Sequence, residues 1–110
     1  MGDPAGSPLA EAMNRLWAKH LPQIEERVST LLQAAESAAQ GTLTKTQQEL
    51  ASSDAHKLAG VLGTFGLKEG TDLAREAETL YGESLDGSAL PAGRLTAIAE
   101  QLRATIANRN

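Results

Sequence analysis

Apolar residues recur along this chain at the three- and four-residue spacing of amphipathic helices, and turn formers separate the stretches that carry them. Leu9, Met13, Leu16 and Trp17 open the pattern behind Ser7-Pro8, a capping residue followed by a proline suited to a first helical turn. Leu21-Pro22 then predicts a break, which makes this first helix short and starts a second at about Pro22. The second runs to about Ala39 on a stripe of Ile24, Val28, Leu31, Leu32 and Ala35, and Gly41 stands where a helix-ending glycine belongs. A third helix is expected from about Thr44 to Phe65, stopping at Gly66. A fourth follows from Leu67 to Tyr81 with Leu73, Ala77, Leu80 and Tyr81 on one face, although Gly70-Thr71-Asp72 offers a second possible start. Gly82 to Pro91 has the composition of a loop, and Pro91 to Ala107 carries a last stripe of Leu95, Ile98, Ala99, Leu102 and Ile106. The pattern predicts an all-α fold, an antiparallel four-helix bundle with a short additional N-terminal helix. Residues 1–8 read as a disordered leader, leaving 9–110 as one domain.

Composition narrows this picture. Apolar residues reach 41% but aromatics only 3%, so the core must be built from Leu, Ile, Val and Ala. The chain has no cysteine, which removes disulfides, thiol chemistry and cysteine-bound zinc together. No apolar run is long enough to span a membrane, and no basic segment followed by an apolar one opens the chain, so a cytoplasmic protein is expected. A net charge of −4 argues against a nucleic-acid partner. Neither a phosphate-cradling G-x-x-x-x-G-K-[ST] loop nor an H-E-x-x-H metal motif occurs, and no strand precedes the glycines, so no ATP, dinucleotide or metal site is expected.

The candidate chemistry lies in the run Ala55-His56-Lys57-Leu58-Ala59-Gly60-Val61-Leu62-Gly63-Thr64-Phe65-Gly66. A glycine within a helix costs roughly 1 kcal/mol relative to alanine, so Gly60 and Gly63 need a reason. With His56 at zero on a helical wheel, Glu49 falls at about +20°, Ser52 at about −40°, Ser53 at about +60°, Ala59 at about −60°, Gly60 at about +40° and Gly63 at about −20°. Ala51, Leu58, Leu62 and Phe65 lie on the far side. His56 should therefore point to solvent from a stripe of small residues that lets another backbone or ring approach. Asp54, at about +160°, sits toward the core, where either a basic group on a neighbouring helix or a local distortion would accommodate it. The other noteworthy residues have plainer readings. His20 is a cation at the end of the first helix, Trp17 packs that helix onto the bundle, and Glu25, Glu26, Glu76 and Glu78 are solvated faces.

The run His56-Lys57-Leu58-Ala59-Gly60, with Gly66 ten residues after the histidine, resembles the signature of histidine phosphotransfer (HPt) domains. Gly63-Thr64-Phe65-Gly66 is similar to the matching stretch in the phosphoacceptor domain of chemotaxis kinases, and Leu73-Ala74-Arg75-Glu76-Ala77-Glu78 to the family's next helix. The resemblance implies a phosphorelay role in which His56 accepts a phosphoryl group, on Nε2, from a receiver-domain aspartate or a histidine kinase and passes it to a receiver aspartate. It implies no cofactor bound by this chain, with Mg²⁺ expected in the partner receiver. The docking face would comprise Glu49, Ser52, Ser53, Lys57, Ala59, Gly60, Gly63 and Thr64, and the chain is expected to be a monomer. One departure stands out: the lysine common three residues after the histidine is Ala59 here. Two alternatives stay open, a non-phosphorylated adaptor that uses the same face for binding and a phosphoacceptor domain cut from a larger kinase.

Overall fold

The predicted first and second helices are one. In the computed structural model, which describes residues 7–83 and 89–109, α1 runs unbroken over Pro8–Gln40 with Pro22 inside it. Proline removes the hydrogen bond to the carbonyl four residues back and crowds it. Here that carbonyl belongs to Ala18, and both Ala18 and Pro22 are exposed, so water can serve the freed group. A restart at Pro22 would also need a capping side chain at position 21, and leucine supplies none. Burial of Trp17 on one side of the proline and of Ile24 and Val28 on the other holds both halves on one axis. The separate short N-terminal helix is thus not present, and His20 lies within α1 rather than at a helix end. Its ring sits half-buried, 6.4 Å from that of Phe65.

Helix α2 spans Lys45–Thr64, α3 Lys68–Glu83 and α4 Ala92–Arg109. Their ends follow local chemistry. Ser7 accepts from the Ala10 amide, and Gly41, at φ 72°, closes α1. Thr44 and Gln47 cap α2 reciprocally at 3.1 and 2.9 Å. Gly66, at φ 74°, ends α2, with the Leu67 amide donating to the Leu62 carbonyl, so α3 starts ahead of Gly70-Thr71-Asp72. Gly82 and Glu83, expected in a loop, form the last turn of α3. Residues 84–88 of that loop and 1–6 of the expected leader lie outside the described residues, while Ser7 and Pro8 cap and begin α1.

Each helix packs against its two neighbours in the ring α1–α2–α3–α4, giving a four-helix bundle 56 Å long and about 20 Å wide. The antiparallel sense shows in end-to-end contacts. Trp17 near the start of α1 meets Phe65 at the close of α2, ring edge to face at 5.1 Å, and Arg109 at the end of α4 lies 5.0 Å over the Trp17 ring. Trp17 fastens α1 to the bundle as expected, whereas Leu9 and Leu16 of the same predicted stripe stay exposed. Arg94 of α4 grips both carboxylate oxygens of Glu76 on α3 at 2.6 Å, which holds that carboxyl below its ordinary range, so Glu76 is no free solvated residue.

Gly70 is a packing glycine. A Cβ there would sit 2.9 Å from Leu62 Cδ1, so its absence lets the start of α3 close on α2. Tyr81 is buried at the end of α3, and its hydroxyl finds no hydrogen-bond partner among the described residues. Burial pushes its ionisation up to about 12. The unfolded phenol titrates near 10, so it ionises first as pH rises. The folded state holds its full advantage below about 10 and loses it as pH climbs toward 12. A Tyr81→Phe variant is expected to match or exceed the parent's stability at pH 7. Between pH 10 and 12 its advantage should grow by about 2 to 3 kcal/mol, readable by urea unfolding of both proteins across that range.

Candidate functional site

His56 occupies the fourth turn of α2, on the edge of that helix next to α3. A run of hydrogen bonds and contacts sets the register between the two helices. The Gln48 side-chain Nε2 donates to the Tyr81 carbonyl at 2.8 Å, Ser52 Oγ to the Glu78 carbonyl at 3.3 Å, and Thr71 Oγ1 to the Ala59 carbonyl at 3.2 Å. This ladder delivers Glu78 beside the histidine. Its Oε2 lies 2.8 Å from His56 Nδ1. A carboxylate can only accept, so the shared hydrogen sits on Nδ1, and in the neutral ring that leaves the lone pair on Nε2. The His56 side chain is 73% exposed, so that lone pair is open to an incoming group.

Ring and carboxylate together form a wall between two open depressions. Glu49, Ser52 and Ser53 line the one toward the start of α2. Ala59, Gly60, Arg75 and Thr79 line the other, about 360 Å³ in volume. Gly60 faces open space: a Cβ there would touch nothing within 4 Å. No contact among the described residues calls for a glycine at this position, unlike Gly70.

The structure sorts the residues of the expected docking stripe. Glu49, Ser53, Lys57, Gly60 and Thr64 are exposed. Ser52 is half-buried and spends its hydroxyl on α3. Ala59 is only 5% exposed, tucked under Thr71. Gly63 is exposed, yet its Cβ direction meets Thr71 Oγ1 at 3.4 Å, so it also eases the approach of α3. Asp54 faces α1, where Arg27 Nε lies 3.9 Å away, which answers the choice left open by the wheel without any distortion of the helix.

Glu78 was expected on a solvated face, and that is corrected: it is the hydrogen-bond partner of the histidine. The spacing of Thr71, Arg75, Glu78 and Gly82, one edge of a helix, was the available signal, but only the pairing of α2 with α3 shows that this edge meets His56. Among the described residues no cluster of three His, Asp or Glu side chains could hold a metal ion, and no helix is long and apolar enough to cross a membrane.

The chain resembles known proteins over most of its length. The family model described as "Hpt domain" matches residues 15–108. Protein RcaC of Microchaete diplosiphon is 39% identical over 70 residues, which is 64% of this chain and 11% of that protein, so the chain spans about a tenth of the relative's length. No solved structure matches.

Proposed function

Because the chain belongs to the Hpt domain family, we propose that it is a histidine-containing phosphocarrier of a two-component phosphorelay with His56 as the phosphoacceptor. One observation carries the assignment: an exposed imidazole whose Nδ1 lies 2.8 Å from the Glu78 carboxylate, which in the neutral ring leaves Nε2 as the nucleophilic nitrogen.

The chemistry follows from that arrangement. Nε2 attacks the phosphorus of a receiver's aspartyl phosphate. The P–O bond breaks with its electron pair going to the aspartate carboxylate, and the N–P bond forms. Nδ1 keeps its hydrogen throughout, so the ring becomes a phosphorylated imidazolium, and the Glu78 carboxylate 2.8 Å away balances the new positive charge. Passage to a second receiver is the reverse step on a different aspartate. Phosphoryl transfer rests mainly on alignment and charge neutralisation. The receiver would bring Mg²⁺, and this chain would supply an oriented ring on a rigid helix. Glu49, Ser53, Lys57, Gly60 and Thr64 form the exposed rim against which the receiver would close.

Incubation with a ³²P-labelled receiver phosphate tests the proposal. Acid-labile, base-stable label is expected on the parent chain and none on His56→Gln. Absence of label on the parent with several receivers would instead favour a non-phosphorylated adaptor, the reading to which Ala59 in the lysine position lends support.

A further inference from the structure

The residue at position 59 leaves a question of charge. A phosphoryl group on His56 carries up to two negative charges beside the Glu78 carboxylate, and no basic side chain follows at the position where the resemblance leads one to look. The nearest cation in sequence, Lys57, lies on the wrong flank. Ser52, Ala59 and Gly63, three of the α2 residues that touch α3, sit at about −20° to −60° from His56, and Lys57 sits at about +100°.

Arg75 is placed differently. It is on α3, one turn before Glu78, and lines the same depression as His56, Ala59 and Gly60. Several other basic side chains are engaged: Lys68 with Asp72, Arg94 with Glu76, Arg27 with Asp54, and Arg109 with Asn14 and the Trp17 ring. Arg75 is exposed and makes no hydrogen bond or ion pair among the described residues, although Glu78 follows it at a spacing that permits one. Glu78 is turned to the histidine instead. The guanidinium is therefore an uncommitted donor array on the rim of a depression that Gly60 keeps free of side chain. A planar fork of N–H groups is suited to phosphate oxygens.

From this placement we infer that Arg75 binds the phosphoryl group carried on His56, supplying from α3 the positive charge that position 59 lacks. The inference rests on the proposed phosphocarrier role. The same depression explains how both halves of the phosphorylated residue are neutralised: the ring by Glu78 and the phosphate by Arg75, two side chains three residues apart on one helix edge.

The test uses the full chain and a small donor, phosphoramidate. Its P–N bond breaks, ammonia leaves with the electron pair, and the Nε2–P bond forms, with no partner protein to supply charge. ³¹P NMR then follows the phosphohistidine resonance against pH. A nearby guanidinium favours the dianion, so the midpoint of the second phosphate ionisation is expected to rise by about half a unit in Arg75→Gln and to return most of the way in Arg75→Lys. Thermal midpoints of both variants should equal the parent's, since Arg75 makes no hydrogen bond or ion pair among the described residues. A phosphorylated parent whose midpoint is unchanged by Arg75→Gln overturns the inference alone. Failure of the parent to acquire phosphate on His56 overturns the phosphocarrier proposal and this inference with it.

Discussion

Glutamine in place of Gly60 is expected to slow phosphoryl transfer from a receiver by about 100-fold or more, the penalty for displacing reacting atoms by an ångström or so, while making the bundle more stable. The two effects have separate causes. On the stability side, Gly60 is exposed in the body of α2 and a Cβ there would meet nothing within 4 Å. Glutamine removes the conformational freedom of glycine without any clash, a gain of about 0.5 to 1 kcal/mol in a helix. On the functional side, position 60 is one turn from His56 and borders the depression between His56 and Arg75. A side chain there stands where a receiver's backbone would close over the ring. Transfer from phosphoramidate, which is small, should fall far less than transfer from a receiver. Measured together, the urea midpoint and the two transfer rates test the explanation of the glycine. Normal receiver transfer in Gly60→Gln would show that access is not its purpose.

Removal of the Glu78 carboxylate should cost the next most. Glu78→Ala is expected to lower transfer to His56 by about 10- to 100-fold, the range typical when a carboxylate that orients a metal-bound histidine is lost. Without the acceptor at 2.8 Å, Nδ1 no longer holds its hydrogen by preference, and the imidazolium formed on phosphorylation loses its counter-charge. Glu78→Gln separates these roles, because its amide oxygen can still accept from Nδ1–H but carries no charge. Its rate should fall between those of the parent and Glu78→Ala. Stability should change by less than about 1 kcal/mol in either variant, since the pair is solvent-facing. Quench-flow transfer rates and thermal midpoints give both numbers. Equal rates for all three proteins would remove Glu78 from the mechanism.

These expectations depend on features that differ in how readily the sequence discloses them. The stripe of α4 and, apart from the half-buried Leu32, that of the second half of α1 are buried as their spacing requires, because a helix repeats its face every 3.6 residues whatever surrounds it. The caps at Ser7, Gly41, Thr44 and Gly66 are equally local and equally legible. Pro22 was misleading for a physical reason: a proline lowers the stability of a helix locally, but packing of Trp17, Ile24 and Val28 against the rest of the bundle outweighs that local cost. His56 pointing outward was also a local fact, fixed by its angle from Leu58 and Leu62.

The surroundings of His56 belong to a different class. Glu78 and Arg75 are 22 and 19 residues further along the chain, on a helix whose own pattern marks them only as polar. Whether they reach the histidine depends on the rotation and register of α3 against α2, which Thr71, Ser52 and the close approach at Gly70 set together. Ala59 shows the same thing in reverse, a residue of the outward stripe that becomes buried because α3 lies over it. By itself the sequence determined an all-helical chain, its capped ends and one solvent-facing histidine, since each depends on interactions within a few residues. Only the tertiary structure decided which nitrogen of that histidine is free and which charges attend it, because those follow from packing between helices that no local spacing encodes.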